Sequence, residues 1–184
     1  MSDFSADPAP QADLLAPGAM TPGGEPEGAE APPSLTALSF VLGGQVFAVD
    51  VHHVREIVDL ADIAPLPNAP HDVLGITDLR GQSIVIVDLA ARLGTRAEPA
   101  DDARIVVFEF GSPRGPASLG VVAERVLRVS DVPPEAIESV PDTLSGWRCE
   151  AATALARTDD GVALLLDIER ILCRDDAPGP FDFG

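Results

Sequence analysis

From Leu38 onward the chain alternates short apolar runs with Gly, Pro and Asp, the texture of a β-rich domain with tight turns. LSFVLGGQVFAVDV (38–51) reads as two strands joined at Gly43-Gly44, because a Gly pair supplies the positive φ of a hairpin turn. ARIVVFEF (103–110) and SLGVVAERVLRV (118–129) repeat that layout, with Gly111 to Pro116 as the loop. Pro67 and Pro70 bias the residues before them toward extended backbone, so LPNAP enters as a stiff loop. Val73 to Ile76, interrupted by Gly75, is too short for a core helix. Arg80-Gly81 then makes a tight turn, and Ile84 to Val87 reads as a fully buried strand. Helical signals are few. LAARL (89–93) and DIERIL (167–172) are about two turns each, and Asp88 and Asp167 are placed to cap them.

The pattern recurs. FAVDVHHVREI (47–57) aligns with LGVVAERVLRV (119–129) at an offset of 72, and IVIVDLAARL (84–93) aligns with ALLLDIERIL (163–172) at an offset of 79. Each half therefore holds strand, turn, strand, loop, strand and short helix, and two copies of one small β unit packed together is the economical architecture.

Composition sets the ends apart. Residues 1–36 contain seven Pro, four Gly, six acidic residues and no basic one, too little apolar surface to offset ordering entropy, so they read as a disordered tail. Within it Leu14-Leu15 or the Pro clusters are candidates for a docking motif. Residues 37–176 form the folded domain and 177–184 a flexible end. No secretory signal or apolar run of membrane-spanning length stands out, so a cytoplasmic location is expected. Cys149 and Cys173 lie in no ligand-like spacing and read as free thiols.

The formal net charge of −18, with no basic stripe, argues against nucleic acid and anionic membranes as partners. All 12 basic residues are Arg, and the absence of Lys excludes a Walker-type or Schiff-base lysine. His52-His53 with Asp50 and Glu56 comes nearest to a metal cluster. The alternation of Val49, Val51 and Val54 favours strand plus turn, which would scatter those side chains, so no metal is expected. Asp88 and Asp167 end strands where a general base could sit, but capping explains both. With no Tyr, no Lys and three scattered His, the chain reads as no enzyme and needs no cofactor. Glu56 within VREIV and Arg80 within ITDLRG are lone charges among apolar neighbours. They are either two unrelated surface groups or a pair in which a planar fork meets a carboxylate.

LPNAPHDVLGITDLRGQSIVIVDLAARLG (66–94) resembles the chemotaxis coupling protein (CheW) family, whose pattern is roughly L-P-N-x-P-x-x-(V/I)-x-G-(V/I)-x-N-L-R-G, then an apolar strand and Asp-Leu. The likeness covers about residues 38–174 and is specific over 66–89, with Asp78 standing where the family usually carries Asn. The resemblance implies a mainly β fold of two small five-stranded SH3-like barrels packed together, with short helices. It implies a non-catalytic adaptor linking the cytoplasmic tip of a chemoreceptor to the regulatory domain of a CheA-type histidine kinase, recruited to receptor arrays. It also implies a receptor site at the groove between subdomains, formed by Val54, Glu56, Asp78, Leu79 and Arg80. There Asp78 is a second carboxylate that could compete with Glu56 for Arg80. The alternatives are a scaffold of a non-motility chemosensory pathway serving development or second-messenger output, and a small β-fold enzyme using Asp88 or Asp167.

Overall fold

The computed structural model describes residues 34–98, 100–112, 115–141 and 152–173. Nearly all of the tail, the C-terminal end, Trp147 and Cys149 lie outside them.

The chain runs β1 (Leu35–Leu42), β2 (Gln45–Asp50), a 3-10 turn (Val51–His53), β3 (Val54–Asp59), β4 (Val73–Leu79), β5 (Gln82–Val87) and α1 (Leu89–Leu93). The second half follows with β6 (Arg104–Phe110), β7 (Ala117–Ala123), β8 (Arg125–Val132), a 3-10 turn (Pro134–Ala136), β9 (Ile137–Glu138), β10 (Ala152–Thr158), β11 (Gly161–Leu166) and α2 (Ile168–Leu172). The hairpin at Gly43-Gly44 forms as the Gly pair predicts. Both short helices are capped by their Asp: Asp88 Oδ1 accepts from the Ala91 N–H and Asp167 Oδ1 from the Arg170 N–H, each at 2.9 Å. β1 begins at Leu35, two residues inside the segment that composition assigns to the tail.

The strands form a five-stranded sheet, β3-β6-β7-β5-β4, and a six-stranded one, β8-β1-β2-β11-β10-β9, whose sixth strand is only two residues long. We call these the first and second barrels. The element order matches two repeats, but the halves do not fold separately. Each barrel takes the opening hairpin of one half and the later strands of the other. The repeat offsets hold in the register. In the second barrel Phe47 of β2 lies opposite Leu164 of the parallel β11, and in the first Leu119 of β7 lies opposite Val85 of the parallel β5.

The crossings between barrels have local causes. After β2, Asp50 caps the 3-10 turn by accepting from the His52 N–H, and β3 then leaves for the other sheet. The run 118–129, which looks continuous, breaks at Glu124. Its N–H donates to the Val41 carbonyl, and its carboxylate accepts from Gly43 and Gly44 N–H at 2.9 and 3.3 Å and from Glu98 N–H at 2.9 Å. β8 therefore starts in the opposite barrel from β7.

The two barrels share a core. Phe40, Phe47, Phe108 and Phe110 pack with Leu89 and Leu93 of α1 and Ile168, Ile171 and Leu172 of α2. Each fully buried side chain of this kind stabilises by roughly 1.5–3 kcal/mol. The interiors differ in grain. The first barrel is filled by Ile84, Ile86, Ile105 and Val107, the second by Ala37, Ala48, Ala156, Ala163 and Val132. Gly120 occupies the first barrel at the place Ala48 holds in the second. A Cβ on Gly120 would come within 2.6 Å of Ile86 Cδ1, so large neighbours and a missing side chain compensate.

Candidate functional site

The site is built on a turn. β4 and β5 are joined by Arg80-Gly81, with Leu79 opposite Gln82. Both turn residues have positive φ, 55° and 82°. A two-residue hairpin of this hand suits the twist of the flanking strands, and it usually carries Asn-Gly or Gly-Gly. The β1–β2 hairpin does so, with Gly43 and Gly44 at φ 60° and 71°. Arg80 takes the same conformation with a Cβ, a strain that persists only where the surroundings fix it.

Asp78 fixes part of it. Its Oδ1 accepts from the Gly81 N–H at 2.9 Å. The expected competition between Asp78 and Glu56 for Arg80 does not arise: among the described residues Asp78 makes no ion pair, because its carboxylate closes the turn. An Asn at this position would accept the same bond through its own Oδ1.

Arg80 Nη2 lies 3.4 Å from Glu56 Oε2 on β3. β3 and β4 are opposite edges of the first sheet, so the pair clasps the barrel shut. Glu56 follows a bulge in β3: Val54 faces Phe108, Glu56 faces Val107, and Arg55 is the extra residue. The Glu56 side chain is 20% exposed and that of Arg80 is 85% exposed. Val54 and Leu79 are both half-buried, at the start of β3 and the end of β4. The structure thus brings Glu56 and Arg80 together, with Asp78 and Leu79 in the same turn.

Sequence reasoning missed Arg55. Its Nη1 donates to Gln82 Oε1 at 2.8 Å and to Ser118 Oγ at 3.0 Å, and its guanidinium lies 3.7 Å from Glu56 and 3.6 Å from Glu109. The one available signal was the repeat, which aligns this Arg with Leu127.

The 50–56 cluster does not converge. Asp50 accepts from the backbone N–H of His52 and faces its Nδ1 at 2.7 Å, while His53 packs against Phe110 with ring centroids 5.5 Å apart. Glu56 instead faces the two guanidiniums. Among the described residues no helix is long and apolar enough to cross a membrane.

With this geometry in place, kinship is informative. Residues 36–176 match the model of the CheW-like domain. The chain is 30% identical over 139 residues to the chemotaxis protein CheW of Treponema pallidum, covering 73% of this chain and 79% of that one. It is 30% identical over 135 residues to CheW of Rhizobium meliloti, covering 73% and 84%. The fold matches the crystal structure of the scaffolding protein TtCheW from Thermoanaerobacter tengcongensis with a TM-score of 0.66 and 23% identity, covering 78% of this chain and 95% of that one. The two-barrel architecture and a match spanning most of the sequence lead to one conclusion: the chain belongs to the CheW-like family, the non-catalytic adaptors of chemotaxis signalling.

Proposed function

We propose that the first barrel docks the helical cytoplasmic tip of a chemoreceptor at the Arg80 turn, through Val54, Glu56, Asp78, Leu79 and Arg80. The second barrel, away from this turn, takes the regulatory barrel domain of a CheA-type histidine kinase. Holding both partners at once raises their effective concentration and fixes their geometry, with no bond chemistry required. The observation that carries this reading is the Glu56–Arg80 clasp, which joins two sheet edges and leaves 85% of the arginine side chain in solvent. A strained, exposed Arg is an expensive way to make a turn and a good way to meet a partner.

The test is ternary. A purified receptor hairpin fragment and the kinase regulatory domain are mixed with the full chain and followed by analytical ultracentrifugation. Each should bind alone, and all three should co-sediment. If either partner fails to bind, or if the two exclude each other, the chain does not bridge them through separate surfaces.

A further inference from the structure

The two barrels close in opposite ways. At the register of Glu56 the second barrel carries Arg128, which follows the same bulge in β8, with Leu127 as the extra residue. At the place of the Arg80 turn it carries Asp159-Asp160. Arg128 Nη1 donates to Asp159 Oδ2 and Nη2 to Asp160 Oδ1, both at 3.0 Å, and Nε lies 2.9 Å from Asp160 Oδ2. Both terminal nitrogens of that guanidinium donate to a carboxylate, one to each Asp of the turn. In the first barrel the clasp is long, 3.4 Å, and among the described residues Arg80 donates no hydrogen bond.

Arg55 stands beside the first clasp, where the second barrel has Leu127. It faces the other oxygen of Glu56, so the carboxylate is shared between two guanidiniums. It also holds Gln82, the residue directly after the Arg80-Gly81 turn, and anchors to Ser118 on β7. At the corresponding positions the second barrel has Leu127, Gly161 and Val46, none of which carries a polar side chain. A barrel of this shape closes without the brace, so closure is not what the brace is for.

We propose that Arg55 is a positioning residue of the docking site. It fixes the turn and divides the pull of Glu56, so that Arg80 presents an unspent planar fork to a carboxylate on the receptor helices. An arginine with free paired donors is matched in geometry and charge by a carboxylate. The inference rests on the first barrel being the receptor face.

The experiment titrates a purified receptor cytoplasmic hairpin against the full chain and four variants: Arg80→Ala, Arg55→Leu, Arg55→Lys and Arg55→Leu/Arg80→Ala. Circular dichroism checks that each is folded. Leu is the residue the second barrel uses at this position, so the fold should accept it. Arg80→Ala should weaken binding about 30-fold. Arg55→Leu should weaken it about 5-fold or more, Arg55→Lys should recover most of that, and the double variant should bind no worse than Arg80→Ala. One Asp→Asn or Glu→Gln change on the hairpin should cost the wild type as much as Arg80→Ala does, and cost Arg80→Ala nothing further.

Wild-type affinity in Arg55→Leu, losses that multiply in the double variant, or no sensitive carboxylate on the hairpin would overturn the proposal while leaving the receptor face intact. Normal binding by Arg80→Ala would overturn both readings together.

Discussion

Glu56 and Arg128 stand at the same register of their two barrels with opposite charge, each one residue past a bulge and each facing the turn that closes its sheet. The clasp is therefore a feature of the repeated fold, and its sign is what distinguishes the barrels. The first displays Arg80, 85% exposed, and the second displays Asp159, 78% exposed.

Exchanging the sign should separate folding from recognition. Glu56→Arg with Arg80→Asp gives the first barrel the charge order of the second. Exposed ion pairs contribute about 0–1 kcal/mol, so the double variant should fold with stability within about 1 kcal/mol of wild type. It should lose binding to the receptor hairpin. Arg128→Ala should cost a similar small amount of stability and leave hairpin affinity unchanged. Denaturant midpoints and a hairpin titration measure both effects, and a sign-exchanged protein that binds normally would show that the partner does not read this charge.

The turn offers a sharper separation. Arg80 sits at φ 55° before Gly81, a position where Asn or Gly is at ease. Arg80→Asn should hold or raise the melting temperature, by up to about 4 °C if it relieves roughly 1 kcal/mol, while weakening hairpin binding as Arg80→Ala does. A stabilised protein with impaired docking is the expected pairing. A clear fall in melting temperature would mean that the clasp outweighs the backbone strain.

What the sequence revealed follows the range of the forces involved. The hairpin at Gly43-Gly44, the Arg80-Gly81 turn and the caps at Asp88 and Asp167 depend on residues within a few positions, and all four were legible. The repeat was legible too, through offsets that the register reproduces. The exchange of strands between halves was not. It rests on pairings such as Phe47 with Leu164, which no local pattern encodes, and on Glu124, whose carboxylate looks like any surface charge until Gly43, Gly44 and Glu98 are seen to donate to it. Glu56 and Arg80 stood out as charges in apolar surroundings. Arg55 did not, since a bulge residue looks like any outward-facing strand position.

Arg92 ties the two halves together. Its side chain is 8% exposed. Nε lies 2.8 Å from Asp72 Oδ2, and Nη1 donates to the carbonyls of Ile171 and Leu172 at 2.6 and 3.3 Å, the free C-terminal end of α2. Among the described residues, removing it leaves the Asp72 carboxylate without its ion-pair partner and takes a donor from two carbonyls. Arg92→Ala should cost about 3 kcal/mol, near the low end for a broken buried pair because Asp72 keeps some solvent contact. Asp72→Ala should cost less, and the double variant should lose less than the sum of the two. Urea denaturation of the three proteins gives the coupling. Strict additivity would mean that Arg92 acts through packing alone.

Glu124 makes stability depend on pH. Burial works to raise its carboxyl pKa, but the N–H groups of Glu98, Gly43 and Gly44 favour the charged form and leave it below the ordinary value of 4.5. A folded-state value below the unfolded one means the unfolded chain binds the proton more readily. The stabilisation is therefore present in full above about pH 4.5 and is lost as pH falls through the depressed folded value. Glu124→Gln lacks the charge at every pH, and its amide NH2 is set against backbone donors. At neutral pH the variant should be less stable than wild type. As the solution is acidified below about pH 4.5 the wild-type carboxylate is protonated and the gap should narrow. Subtracting the two denaturation midpoints at each pH removes the contribution of the other acidic groups. A gap that stays constant from neutral to strongly acidic solution would show that the three backbone bonds to Glu124 act as neutral spacers and do not hold a charge.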